Sequence, residues 1–242
     1  MGQSGRFTGA WLLSIVAVLL APSGAGALSI GGDASLTTDY IFRGISESGG
    51  NGAAQLDLHV TTSGGTFAGA FASTLSRVNY RGWDYELETY LGHRFDLTPS
   101  WSTSVTAVNY SYLKGNVPFS NDYQELSVSV SYLDRWTLTA SAAPNAVRYM
   151  YHTRLGRYFA YVADAAGQIP VYGPLFATAG VGYYSLTGPD PGGYVYGNVG
   201  LAFEYKALRI DAGYYAVQDR AEYLFPYGRA RDRFAATLSW HF

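Results

Sequence analysis

The side chains best suited to acid–base chemistry near neutral pH in this 242-residue chain are its four histidines, His59, His93, His152 and His241. Asp57 precedes His59 by two positions, which on a strand places both on one face and would let the carboxylate orient the imidazole as a general base. A partner nucleophile cannot be identified. There is no G-x-S-x-G elbow, no H-E-x-x-H zinc pattern, no P-loop and no dinucleotide fingerprint. Cysteine is absent, which excludes disulfides, thiolate metal sites and thiol nucleophiles. A hydrolytic reading therefore rests on His59 alone, and no cofactor, metal or catalytic set is expected.

The other residues able to do chemistry are scattered acids and arginines, and their meaning depends on the elements that carry them. Residues 1–27 read as an export signal: Arg6 in a weak n-region, an apolar run from Ala10 to Leu20, and Ala25-Gly26-Ala27 as a small-residue cleavage site. That run is too short to span a bilayer as a helix, and no run of 18 apolar residues follows it. Any membrane insertion must then use strands. Only 14% of residues are charged, while 16% are aromatic, including 22 tyrosines. That mixture suits a wall with one face in lipid and the other in a polar lumen. A formal charge of −2 argues against a nucleic-acid partner.

Period-2 alternation recurs in twelve runs, at 34–43, 53–62, 66–75, 83–95, 101–113, 123–133, 136–144, 157–166, 175–186, 193–205, 208–218 and 231–242. Most have the nine to eleven residues that a tilted transmembrane strand needs, and the number is even, as in single-chain bacterial barrels. Leu56, Leu58 and Val60 alternate with Asp57, His59 and Thr61, and Leu126, Val128 and Val130 with Glu125, Ser127 and Ser129. Odd-numbered connections run six to twelve residues and even-numbered ones two to eight, the longest even one being Gly167 to Pro174. Long loops on one side and short turns on the other indicate an all-β, up-and-down transmembrane barrel over residues 28–242. Phe67, Phe95, Trp101, Trp136, Tyr205 and Trp240 near one edge, and Tyr40, Phe42 and Trp83 near the other, are candidate interfacial girdles.

On this frame the charges turn inward. Symmetric pairing about a first loop at Gly44–Gly52 would set Arg43 opposite Ala53, Ile41 opposite Gln55 and Asp39 opposite Asp57, and closure would bring Arg233 beside Asp39. Two facing carboxylates repel and need a cation or a shared proton, so Asp39, Asp57, Arg43 and Arg233 are expected to form a lumen network. The alternative is that these charges only brace the lumen. His59, Glu86, Glu88, Glu125, Arg209 and Asp211 complete the expected lining, with Glu204 and Arg209 as a cross-strand pair. The excess of acids predicts a mild preference for cations. Inward Tyr194, Tyr196 and Tyr215 would narrow the bore.

Asp39-Tyr40-Ile41-Phe42-Arg43-Gly44-Ile45-Ser46, preceded by Ser35-Leu36-Thr37-Thr38, resembles the amino-terminal signature of the TorF-type (Gcw-type) porin family of proteobacteria. Ala54-Gln55 and the strand Glu86-Leu87-Glu88-Thr89-Tyr90-Leu91-Gly92 agree with it, while Glu47 and Ala53 replace the usual Gln and Pro. The resemblance implies an outer-membrane porin of similar size. Resemblance to outer-membrane barrels as a class also implies that the terminal strand, with Trp240 and Phe242, is the sorting signal read by the barrel assembly machinery. The expected protein is an outer-membrane channel in contact with lipid, passing small polar solutes or ions. Its rivals are a nonconducting barrel that binds a partner through the loops at Asn145–Gly156 and Asp219–Ala230, and an outer-membrane hydrolase using His59.

Overall fold

The computed structural model describes residues 28–75, 84–114, 121–150, 153–188, 191–225 and 228–242. The expected export segment and the girdle candidate Trp83 lie outside them. Twelve antiparallel strands close into one barrel: β1 (Leu28–Thr37), β4 (Ala53–Thr62), β5 (Thr66–Thr74), β6 (Tyr85–Asp96), β7 (Trp101–Leu113), β8 (Tyr123–Tyr132), β9 (Trp136–Met150), β10 (Thr153–Tyr172), β11 (Leu175–Leu186), β12 (Gly192–Tyr205), β13 (Leu208–Val217) and β14 (Arg233–His241). Two further strands, β2 (Ile41–Phe42) and β3 (Ile45–Ser46), pair only with each other, and a short helix, α1 (Ala221–Leu224), lies in the last loop.

Alternation determines the wall. Leu56 and Leu58 on β4, Leu126 and Val128 on β8, and Val199, Leu201 and Phe203 on β12 face outward. Glu86 and Glu88 on β6, Ser127 and Ser129 on β8, and Arg209 and Asp211 on β13 are buried inside. Ten-residue strands at roughly 3.3 Å per residue cover the thickness of a hydrocarbon layer when tilted. Phe95, Trp101, Trp136, Tyr205 and Trp240 are exposed around the turn end, as an interfacial belt requires. Three girdle candidates do not belong there. Phe67 faces the lumen at 3% exposure, fitting over the missing side chain of Gly92, and Tyr40 and Phe42 are buried inside the barrel.

One end carries tight turns. Leu133 and Asp134 take φ of 54° and 51°, and Arg135 N–H donates to Tyr132 C=O at 3.0 Å, the two-residue geometry that matches strand twist. The expected eight-residue turn at Gly167–Pro174 shrinks to Gly173-Pro174, because β10 runs on to Tyr172 and pairs there with Leu175. Most of the expected loop at Asn145–Gly156 is likewise strand, since β9 runs to Met150 and β10 starts at Thr153.

The largest correction concerns the first strand, which runs from Leu28 to Thr37 rather than over 34–43. Gly31 and Gly32 hide its start, since their missing side chains admit the rings of His59 and Phe242. The register shifts accordingly. Thr37 opposes Ala53, Ser35 opposes Gln55, and Asp33, not Asp39, opposes Asp57. Closure is made by β14 on β1, and Phe242 exchanges backbone hydrogen bonds with Gly32 at 2.9 and 3.1 Å.

An arginine at the lipid-facing centre of a wall strand should destabilise the barrel. Val128→Arg is expected to cost about 2–4 kcal/mol and Leu133→Arg, in a turn at the edge, about 0–1 kcal/mol. Urea unfolding in lipid vesicles measures both, and equal costs would show that the apolar face has been assigned wrongly.

Candidate functional site in the barrel lumen

The chain leaves the wall at Thr37 and turns inward. Tyr40-Ile41-Phe42 places three apolar residues in succession, which suits a segment buried on every side rather than one wall face. Arg43 and Gly44, with φ of 51° and 77°, form the two-residue turn of a hairpin in which Phe42 pairs with Ile45. Gly44 is required twice over, since its positive φ is strained for other residues and an added Cβ would lie 2.8 Å from Tyr196 Cβ.

This hairpin fills the loop end of the lumen. Ile41 and Ile45, each 2% exposed, pack in a cluster with Tyr194, Tyr196, Tyr215 and Val217. Tyr40 and Phe42 pack in another with Val108 and Tyr110, flanked by Phe71 and Tyr123. Tyr110 stacks on Tyr123 with ring centroids 4.3 Å apart. From the last loop, α1 adds Ala221 and Leu224 to the first cluster. Burying isoleucine side chains contributes roughly 1.5–3 kcal/mol each, enough to hold a short hairpin inside.

Ion pairs orient it. The Arg43 guanidinium donates bidentately to Glu125 on β8 at 2.8 and 2.7 Å, and lies over the Phe42 ring at 4.6 Å. Arg233 Nη1 donates to Asp39 Oδ2 at 2.6 Å, while the Ser46 and Ser48 hydroxyls donate to Asp39 Oδ1 at 2.5 and 2.8 Å. Arg229 pairs with Glu47 and donates from Nε to Ser46 C=O at 2.8 Å. Burial pushes the Tyr40 phenol well above its ordinary pKa, with Glu86, Glu88 and Glu47 adding to the shift.

The expected four-member network is thus divided. Asp39 and Arg233 do meet, but Arg43 engages Glu125, and Asp57 is bound to His59 Nδ1 at 2.8 Å and accepts from the Tyr90 hydroxyl at 2.7 Å. The two facing carboxylates are Asp33 and Asp57, each accompanied by a histidine, with His241 Nδ1 2.5 Å from Asp33. Arg209 donates to Asp211 through Nε and Nη2 at 2.8 and 2.7 Å, and pairs with the cross-strand Glu204 as its position suggested. Trp240 and Phe242 point outward beside the closing seam. Among the described residues, no group of three or more His, Asp or Glu side chains is arranged to hold a metal ion.

Sequence reasoning missed the roles of Glu47 and Arg229 and the pairing of Arg43 with Glu125. The available signal was the apolar triplet followed by Arg-Gly, which breaks the alternation. Toward the turn end the lumen wall becomes a lattice of hydroxyls: Ser104 to Ser129 at 2.8 Å, and Ser127 to Ser141 and Ser131 to Thr137 at 3.0 Å.

Removing Arg43 takes from the buried Glu125 its bidentate counter-charge, leaving the Ser127 hydroxyl at 3.4 Å. Arg43→Ala is expected to cost about 3–5 kcal/mol, and the Arg43→Ala, Glu125→Ala double variant much less than the sum of the single changes. Equilibrium unfolding of the full cycle measures the coupling, and simple additivity would refute it.

Solved structures of porins share this closed-barrel fold. The NanC porin aligns with a TM-score of 0.57 at 9% identity, covering 87% of this chain and 98% of that one. The KdgM porin, in complex with disordered oligogalacturonate, aligns with a TM-score of 0.50 at 10% identity, covering 89% and 99%. At such identities the likeness is one of fold. No curated protein matches the chain in sequence. Residues 21–241 match the model of Gcw_chp, described as a bacterial protein of unknown function, and the chain belongs to that family.

Proposed function

We propose that this protein is an outer-membrane porin-like channel for small polar solutes or ions, closed at rest by its own first loop. The observation that carries the reading is that the hairpin of β2 and β3 forms a separate two-stranded sheet inside the closed barrel. It shares no strand ladder with the wall, so it can leave the lumen without opening the barrel. What it would uncover is a bore lined by serines, threonines, acids and arginines.

The apolar outer face, long loops at one end and short turns at the other suit an outer membrane with the turns in the periplasm. Residues 1–27 then serve as the export signal, and the strand ending at Trp240 and Phe242 as the segment engaged by the assembly machinery. Oligogalacturonate, the ligand of the KdgM complex, bears a carboxylate on each sugar. The buried Glu86 and Glu88 would repel such a polyanion, so neutral or cationic solutes fit this lumen better. Asp39, Asp57, His59, Glu125, Arg209, Asp211 and Arg233 line the route in this reading.

A second reading, a nonconducting barrel that binds a partner through its outer loops, is favoured by the tight filling of the loop end by Tyr110, Tyr194 and Tyr196. Conductance separates the two. In planar bilayers the intact protein should open rarely, and a variant with residues 41–51 replaced by a short Gly-Ser link should conduct several-fold more, with a reversal potential favouring cations. Silence from both proteins would defeat the channel reading. Equal conductance would defeat the plug, and an anion-favouring potential would reject the selectivity.

A further inference from the structure

We propose that Glu86 and Glu88, with Tyr40 of the inserted hairpin, form a lumen binding site for a small organic cation bearing an ammonium group. The two glutamates lie two positions apart on β6 and point to the same side, into the barrel, with exposures of 0% and 1%. Both carboxylate oxygens of Glu86, and Oε1 of Glu88, have no hydrogen-bond partner among the described residues. The hydroxyls of Tyr40, equally buried, and of Tyr112 lie beside Glu86.

Among the described residues, the arginines whose charge acts on the two glutamates are committed elsewhere. Arg43 gives both terminal nitrogens to Glu125, and Arg229 serves Glu47 and the Ser46 carbonyl. Around the two free carboxylates the further charges are mostly acidic, with Glu47 near Glu86, and Glu125 and Asp57 near Glu88. Carboxylates removed from water without a partner are costly, so the pocket calls for a positive guest.

The chemistry of the pocket selects the kind of guest. Calcium wants six to eight oxygens, whereas no group of three or more acids or histidines is arranged for a metal among the described residues. A primary ammonium brings three N–H donors, matching three open carboxylate oxygens. The rings of Tyr40, of Phe71 opposite Glu88 and of Tyr112 opposite Glu86 supply aromatic surface, which attracts such a cation and would accept its alkyl stem.

The proposal rests on the channel reading only for how the cation arrives. Its test is therefore binding rather than conductance. The purified protein in detergent micelles is equilibrated with n-propylammonium chloride at neutral pH and studied by isothermal titration calorimetry, with potassium and calcium chloride as comparators. One propylammonium should bind per chain. Affinity should fall by about tenfold or more, roughly 1.4 kcal/mol, in E86Q/E88Q. Y40F should weaken it less, and serves with E88Q alone if the double variant does not fold. Absence of binding to the intact protein, as expected if the carboxyls are simply protonated, would overturn the site. So would binding that survives E86Q/E88Q, or calcium bound in preference. A protein that conducts but takes up no propylammonium loses only this site, and one that binds it but never conducts loses only the channel.

Discussion

The hydrogen-bonded ion pair between Arg43 and Glu125 determines how the interior of this barrel is arranged. Arg43 sits in the connection after β1, and Glu125 lies on β8, nearly half-way round the ring. β2 and β3 share no ladder with the wall; one backbone bond, from Ser46 N–H to Arg229 C=O at 3.0 Å, ties them to the last loop, and the Arg43–Glu125 contact reaches across the lumen. Asp39–Arg233 and Glu47–Arg229 hold the hairpin from the β14 side. A buried ion pair contributes little net stability against an apolar replacement, but it penalises every arrangement in which one partner is left alone. Here it specifies one seat for a hairpin whose isoleucines could be satisfied by several. By occupying Arg43 it also leaves Glu88 without a bonded counter-charge among the described residues.

The wall was legible in the sequence because lipid on one side and polar side chains on the other impose strict alternation. Leu126 and Val128 against Ser127 and Ser129 show the face of β8 without any coordinates. Closure of the last strand on the first was equally readable. The interior was less so, because a plug obeys no period. Alternation read through Thr37 into Tyr40 and Phe42 gave a strand that was too long and a register that set Asp39, rather than Asp33, opposite Asp57. The glycines at 31 and 32 concealed the true start, since a residue without a side chain shows no face. Arg43 and Glu125 were each recognisable as inward, yet their pairing depends on a loop folding back across the bore, which no local pattern encodes.

The segment that carries the family resemblance, Asp39 to Ser46, is the plug itself. Each of its features has a task there. Asp39 accepts from Arg233 and two serine hydroxyls, Tyr40 to Phe42 and Ile45 supply the apolar filling, Arg43 reaches β8, and Gly44 turns the chain against Tyr196. A motif that reads as the end of a strand and the start of its loop is thus the segment that fills the lumen, and links family membership to the feature on which the proposed gating depends.

Whether the hairpin lies inside the barrel can be measured directly, because the chain has no cysteine and a single one can be introduced as a reporter. A cysteine at Ile45 should resist a membrane-impermeant maleimide in intact proteoliposomes and react only after unfolding. One at Tyr223, which is 72% exposed in the last loop, should label at once. Rapid labelling at both positions in the folded protein would contradict the account.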